Sequence, residues 1–165
     1  MLRYLKHMKF FREEYGVMKP IIFGTKVKGQ TYRERQAVYG LLINDKNQLA
    51  IIKTPRGNFL PGGGLKNEEN HNDCLKREFL EETGLVIDVG DYLGSGILYD
   101  LAPTIQEYLK MVGHFYKVHF TGLMQKKIED DHELVWIDRT VAERSMLLEH
   151  QSWTIKRMNS VNLNQ

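Results

Sequence analysis

The chain has only one cysteine, Cys74, which excludes an intramolecular disulfide and suits a reducing compartment. It has no apolar run near the roughly 20 residues that a helix needs to cross a bilayer. It has little net charge: +2 is too small to draw in nucleic acid or a membrane surface by bulk charge. Repeats and low-complexity tracts are absent. A signal peptide is not expected, because Arg3, Lys6, Lys9 and Arg12 interrupt every apolar stretch near the start. These absences predict a cytoplasmic protein. What remains is 165 residues, 42% hydrophobic and 27% charged, which is one ordinary globular domain with enough chain for a core.

The pattern changes along the chain. In residues 1–19, Leu2, Leu5 and Met8 fall at helical spacing between Lys and Arg, so this stretch reads as a tail or a short packed helix. Pro20 opens the domain proper, expected over 20–165. Residues 36–43 (QAVYGLLI) form an apolar run suited to a buried strand. Residues 49–53 (LAIIK) follow after the turn Asn44-Asp45-Lys46-Asn47, so the two read as a hairpin. A helix is expected from Asn70 or His71 to Thr83, with Asn70 as N-cap and Gly84 as C-cap. Cys74 reads as a small buried residue on its apolar side rather than a nucleophile. Residues 85–89, 111–123 and 134–137 read as strands, and His114 as a structural histidine with its polar atoms satisfied. Thr140-Val141-Ala142-Glu143 has the form of a capping box, which predicts a helix through most of 140–159 with Trp153 in the core. Strands and helices interspersed in this way give an α/β class with a mixed sheet.

The chemistry is concentrated just after Pro61-Gly62-Gly63-Gly64. Glu78, Glu81 and Glu82 lie at i, i+3 and i+4, on one face of the expected helix. Like charges at this spacing repel by roughly 0.2–0.5 kcal/mol per pair. They also crowd the C-terminal turn, where the helix dipole disfavours anions. Acids placed against both rules point to a bound hard cation. Mg2+ and Mn2+ take oxygen ligands and bridge carboxylates to phosphates, whereas zinc is disfavoured because the cluster has no Cys or His at ligand spacing. A glycine loop just before the helix lets backbone approach a phosphate or a metal closely. Carboxylates, glycines and a hard cation together suggest hydrolysis or transfer at phosphorus.

The spacing itself resembles the Nudix box: glycine, five residues, glutamate, seven residues, then Arg-Glu-apolar-x-Glu-Glu-x-Gly-apolar. Here those positions are Gly63, Glu69, Arg77, Glu78, Phe79, Glu81, Glu82, Gly84 and Leu85, and every one matches. The resemblance implies an α/β/α sandwich around a mixed sheet, with the box as a loop–helix–loop. It also implies a Mg2+- or Mn2+-dependent hydrolase that cleaves a nucleoside diphosphate linked to another moiety. Carried over, Glu78, Glu81 and Glu82, with the carbonyl of Gly62, would hold the metal. Arg77 and Glu69 would pair and brace the loop. The base that takes the water proton would be Glu78 or an acid on a later loop, Glu129 or Glu133. Gly63, Gly64 and Arg56 would face the substrate, and Arg33 and Arg35 are further candidates for phosphate contact. A small nucleotide, most simply a nucleoside triphosphate, is the expected substrate, with no membrane or nucleic-acid partner and a homodimer left open. The alternatives are a non-catalytic nucleotide-binding regulator of the same fold and an RNA 5′-end pyrophosphohydrolase recruited by the basic tail.

Overall fold

A computed structural model describes residues 19–162, so the expected tail over 1–19 lies almost wholly outside the described residues. Among the described residues, eight strands and three helices follow in the order β1 (Ile21–Phe23), β2 (Arg33–Leu41), β3 (Gln48–Thr54), β4 (Gly57–Phe59), β5 (Gly62–Gly64), α1 (His71–Thr83), β6 (Leu85–Ala102), β7 (Glu107–Met124), β8 (Glu133–Asp138), α2 (Arg139–Ser145) and α3 (Glu149–Asn162).

The strands divide into two sheets. One is five-stranded and mixed, in the order β1-β6-β7-β2-β5, with β1 parallel to β6 and β2 parallel to β7. The other is antiparallel, in the order β4-β3-β8. This corrects the hairpin expected for β2 and β3. They meet antiparallel only beside the turn, at Ile43 and Leu49, and then part into different sheets. The reason is two-sided burial. Leu41, Leu49 and Ile51 pack against Phe115, Ala142 and Ile155 on one side, while Val38, Leu42 and Ala50 pack against Leu75, Phe79 and Val118 on the other. Strands covered on both faces can sit between two helical layers, which is the α/β/α arrangement.

The helix over 71–83 forms as expected. The Asn70 side chain accepts from the Asp73 N–H, and Gly84 caps the other end in the left-handed region at φ 73°. The stretch 140–159 differs from the single expected helix: it breaks at residues 146–148 into α2 and α3. The N-cap of α2 is Asp138, whose carboxylate accepts from the Thr140 N–H and hydroxyl, so the cap lies two residues before the expected one. Two expected strands are longer than the apolar patterns suggested, with β6 and β7 pairing over 85–124 through several register shifts. Trp153 is half-buried with its ring edge-on to Phe23, and Arg157 lies over its face. Among the described residues no helix is long and apolar enough to cross a membrane.

Candidate active site

The site is built where α1 lies along β5. Gly62 has φ 141°, and a side chain there would meet the Val38 carbonyl at 2.1 Å, so only glycine fits this close crossing of two strands. Next to it, a Cβ on Gly63 would stand 2.6 Å from Oε1 of Glu78. The missing side chain is what lets the Glu78 carboxylate lie against the backbone. Cys74 fits the same seam: it is buried, its thiol donates weakly to the Gly63 and Gly64 carbonyls, and burial pushes its pKa up to about 12. It is inert packing rather than a nucleophile.

The three glutamates of the helix have separate surroundings. Successive residues are about 100° apart around a helix. Glu82 is therefore turned about 40° to one side of Glu78, and Glu81 about 60° to the other. Glu82 also falls at i+7 from Leu75 and i+3 from Phe79, on the apolar stripe, and it is only 6% exposed. One of its oxygens accepts the Gly62 N–H at 2.9 Å. Burial, with Glu78, Glu129 and Glu81 nearby, pushes its pKa up to about 9. Glu78 is half-buried and burial raises its pKa too, against the opposing pull of Arg77. Glu81 turns away from Glu82, to Nη1 of Arg77 at 3.0 Å and, more loosely, to Lys66 at 3.8 Å.

Arg77 ties the box together. Its guanidinium makes a two-pronged pair with Glu69 at 2.7 and 2.8 Å, reaches Glu78 at 2.6 Å, and donates to the Gly64 carbonyl at 3.2 Å. Glu69 is held at about 2, well below its ordinary value, chiefly by that bond.

A second segment is delivered by the β6–β7 ladder. The N–H groups of Ile128 and Glu129 both donate to the Glu81 carbonyl, at 3.0 and 2.9 Å, and Gln125 N–H donates to the Gly84 carbonyl at 2.8 Å. The open carbonyls at the end of α1 thus anchor the loop before β8. This brings Glu129 and His132 to Glu82, with ligand atoms of all three within 4.8 Å of one another. His132 was missed in the sequence, because a helix-periodicity reading takes no account of a loop 50 residues further on. Glu133 begins β8 opposite Lys53 and is exposed. Arg56 stays in the β3–β4 turn over the Phe59 ring, Arg33 pairs with Glu107, and the Arg35 guanidinium lies against Gly64. His114 is satisfied as expected, between Tyr92 and Gln36. A cleft of about 580 Å³ opens elsewhere, where β2 leaves β7, lined by Leu42, Val118, Phe120 and Trp136 and by none of the box residues.

The chain is matched over residues 33–157 by the model of the NUDIX domain, and it belongs to that family. It is a Nudix pyrophosphohydrolase. Solved structures share the fold at low identity. The solution structure of the E. coli ORF135 protein is 20% identical, covering 81% of this chain and 94% of that one, with a TM-score of 0.62. The MutT protein from Methanosarcina mazei Go1 is 18% identical, covering 83% and 99%, with a TM-score of 0.60. A MutT NUDIX hydrolase from Burkholderia pseudomallei is 22% identical, covering 75% and 97%, with a TM-score of 0.56. No curated protein sequence matches the chain.

The donor set fits the divalent cation that such hydrolases use. Glu82 is a carboxylate removed from water whose second oxygen faces His132 Nε2 across 3.6 Å, beyond hydrogen-bonding distance. An ion at this spot would supply the missing positive charge.

Proposed function

We propose that residues 20–165 form a hydrolase that cleaves the pyrophosphate link of a nucleoside triphosphate or related small nucleotide with Mg2+ or Mn2+. The observation that carries this is the near-fully buried Glu82 carboxylate, grouped with Glu129 and His132 and close enough to Glu78 to feel its charge, beside a glycine strand. Burying a carboxylate without a counter-charge is costly, and a hard cation bound to phosphate offsets that cost. When bound, the ion neutralises the diphosphate and acidifies a water for attack on phosphorus.

The residues divide the remaining work. Glu78 and Glu82, with the Gly62 carbonyl, hold the ion, and Glu81 adds charge beside them under the grip of Arg77. Arg77 and Glu69 lock the loop to the helix, so that the carboxylates are fixed before substrate arrives. Glu129 accepts the water proton: it lies within reach of Glu82 on a loop pinned by backbone bonds, whereas Glu133 points into the exposed end of β8. Gly63 and Gly64, lacking side chains, let the Glu78 carboxylate and the Arg35 guanidinium lie close to the strand that the phosphates approach. Arg35, lying against Gly64, and Arg56, at the outer turn, offer guanidinium contacts to the phosphate chain.

The test is a panel of nucleoside triphosphates and other diphosphate-linked nucleotides, with Mg2+ or Mn2+ and product analysis. The expected products from a triphosphate are the nucleoside monophosphate and pyrophosphate, with turnover abolished by EDTA and lowered by orders of magnitude in Glu82→Gln. Tight nucleotide binding with no turnover across the panel would overturn the catalytic reading in favour of a binding protein.

A further inference from the structure

We infer that His132 ligates the ion, making the centre a mixed carboxylate–imidazole site that takes Mn2+ or Zn2+ in preference to Mg2+. The inference deepens the function proposed above and rests on Glu82 as an ion ligand. Its basis is the arrangement of the imidazole. Nδ1 of His132 stands 3.0 Å from Oε2 of Glu129 and 3.0 Å from Oδ1 of Asp131. Those two contacts hold the ring so that its other nitrogen, Nε2, faces Glu82. A histidine whose far nitrogen donates to a carboxylate is the usual form of a metal-binding imidazole.

Nε2 is aimed at Oε1 of Glu82, 3.6 Å away. At this distance no hydrogen bond joins the two atoms. Two ligands each about 2.1 Å from a shared ion, at tetrahedral to trigonal angles, stand roughly 3.4–3.6 Å apart. The gap therefore has the width of one shared ion. Glu82 is more than nine-tenths buried, so the oxygen cannot turn to water instead.

The ring is held by backbone as well. Lys127 donates through Nζ to the His132 carbonyl, and the amides of Ile128 and Glu129 are fixed on the Glu81 carbonyl. Nitrogen in the donor set changes which ion fits. Mg2+ keeps to oxygen and water, whereas imidazole is a good ligand for zinc and later first-row ions, and Mn2+ accepts both donor types. Zinc, disfavoured by the helix alone, gains its nitrogen ligand from the loop.

The experiment loads the full chain with one equivalent of Mn2+, without nucleotide, and reads nitrogen nuclear modulation by pulsed electron paramagnetic resonance. Directly bound imidazole nitrogen is expected in the wild type and absent in His132→Gln, with His132→Asn as a second variant should the first fold poorly. The ratio of Mn2+ to Mg2+ affinity, from competition titration, should fall about tenfold or more in the same variants. Bound Mn2+ that is lost in Glu82→Gln but shows no nitrogen coupling would overturn the role of His132 and leave the carboxylate centre standing. Coupling that persists in both His132 variants would do the same. Mn2+ binding untouched by Glu82→Gln would sink the centre itself.

Discussion

Glu82→Gln separates what the carboxylate does for stability from what it does for activity. In the folded, ion-free protein burial lifts its pKa from 4.5 to about 9, while in the unfolded chain it ionises near its ordinary value. A carboxyl whose pKa is raised on folding contributes stability that is complete below pH 4.5 and is lost as pH climbs to about 9. Across that window each pH unit removes about 1.4 kcal/mol. By pH 7 the ion-free wild type has therefore lost about 3 kcal/mol relative to a neutral group of the same shape. Glutamine is that group, and it keeps an oxygen for the Gly62 N–H. In EDTA, urea unfolding should show Glu82→Gln ahead of wild type by under about 1 kcal/mol at pH 5 and by about 3 kcal/mol at pH 7. Saturating Mn2+ should close the gap by stabilising only the wild type. The same substitution should nearly abolish hydrolysis. A gap that does not widen with pH, or a Gln variant less stable than wild type at pH 7, would refute the reasoning.

Three further outcomes follow from the same geometry. Gly63→Ala places a methyl 2.6 Å from Oε1 of Glu78, a flexible side-chain end, so kcat should fall about tenfold or more while urea stability changes by less than about 1 kcal/mol. Arg77→Ala leaves Glu69 and Glu78 without their shared cation and should cost about 3 kcal/mol in denaturant unfolding; Arg77→Lys should recover less than half of that, because an ammonium cannot make the two-pronged pair. His150 is buried with no hydrogen-bond partner for either ring nitrogen among the described residues, and burial pushes its pKa down to about 4. A base depressed in this way gives stability that is complete above pH 6.5 and lost as pH falls to about 4, so by pH 5 about 2 kcal/mol is gone. His150→Leu should show a correspondingly shallower loss between pH 6.5 and 5 in urea titrations.

Much of the site is local, and local features are legible in a sequence. The helix over 71–83, its Asn70 cap and its Gly84 terminus follow from residue types at fixed offsets, because capping bonds span only three or four residues. The same holds for the Arg77–Glu69 brace, set by box spacing, and for the glycines beneath Glu78. Even the burial of Glu82 had a signal, its place on the stripe of Leu75 and Phe79, although the three glutamates looked equivalent by charge and spacing alone.

The sequence by itself determined the family, the helix and the acidic face, since each depends on side chains within a few turns of one another. Tertiary structure decided which acids meet. Backbone amides of 128 and 129 dock on the open end of α1 and carry Glu129 and His132 to Glu82, while Glu133 is fixed in β8. It also decided that β2 and β3 part into two sheets, because both of their faces are covered by helices that come later in the chain. Pairings of that kind depend on closing long loops against distant apolar faces, and no short-range pattern records which faces will meet.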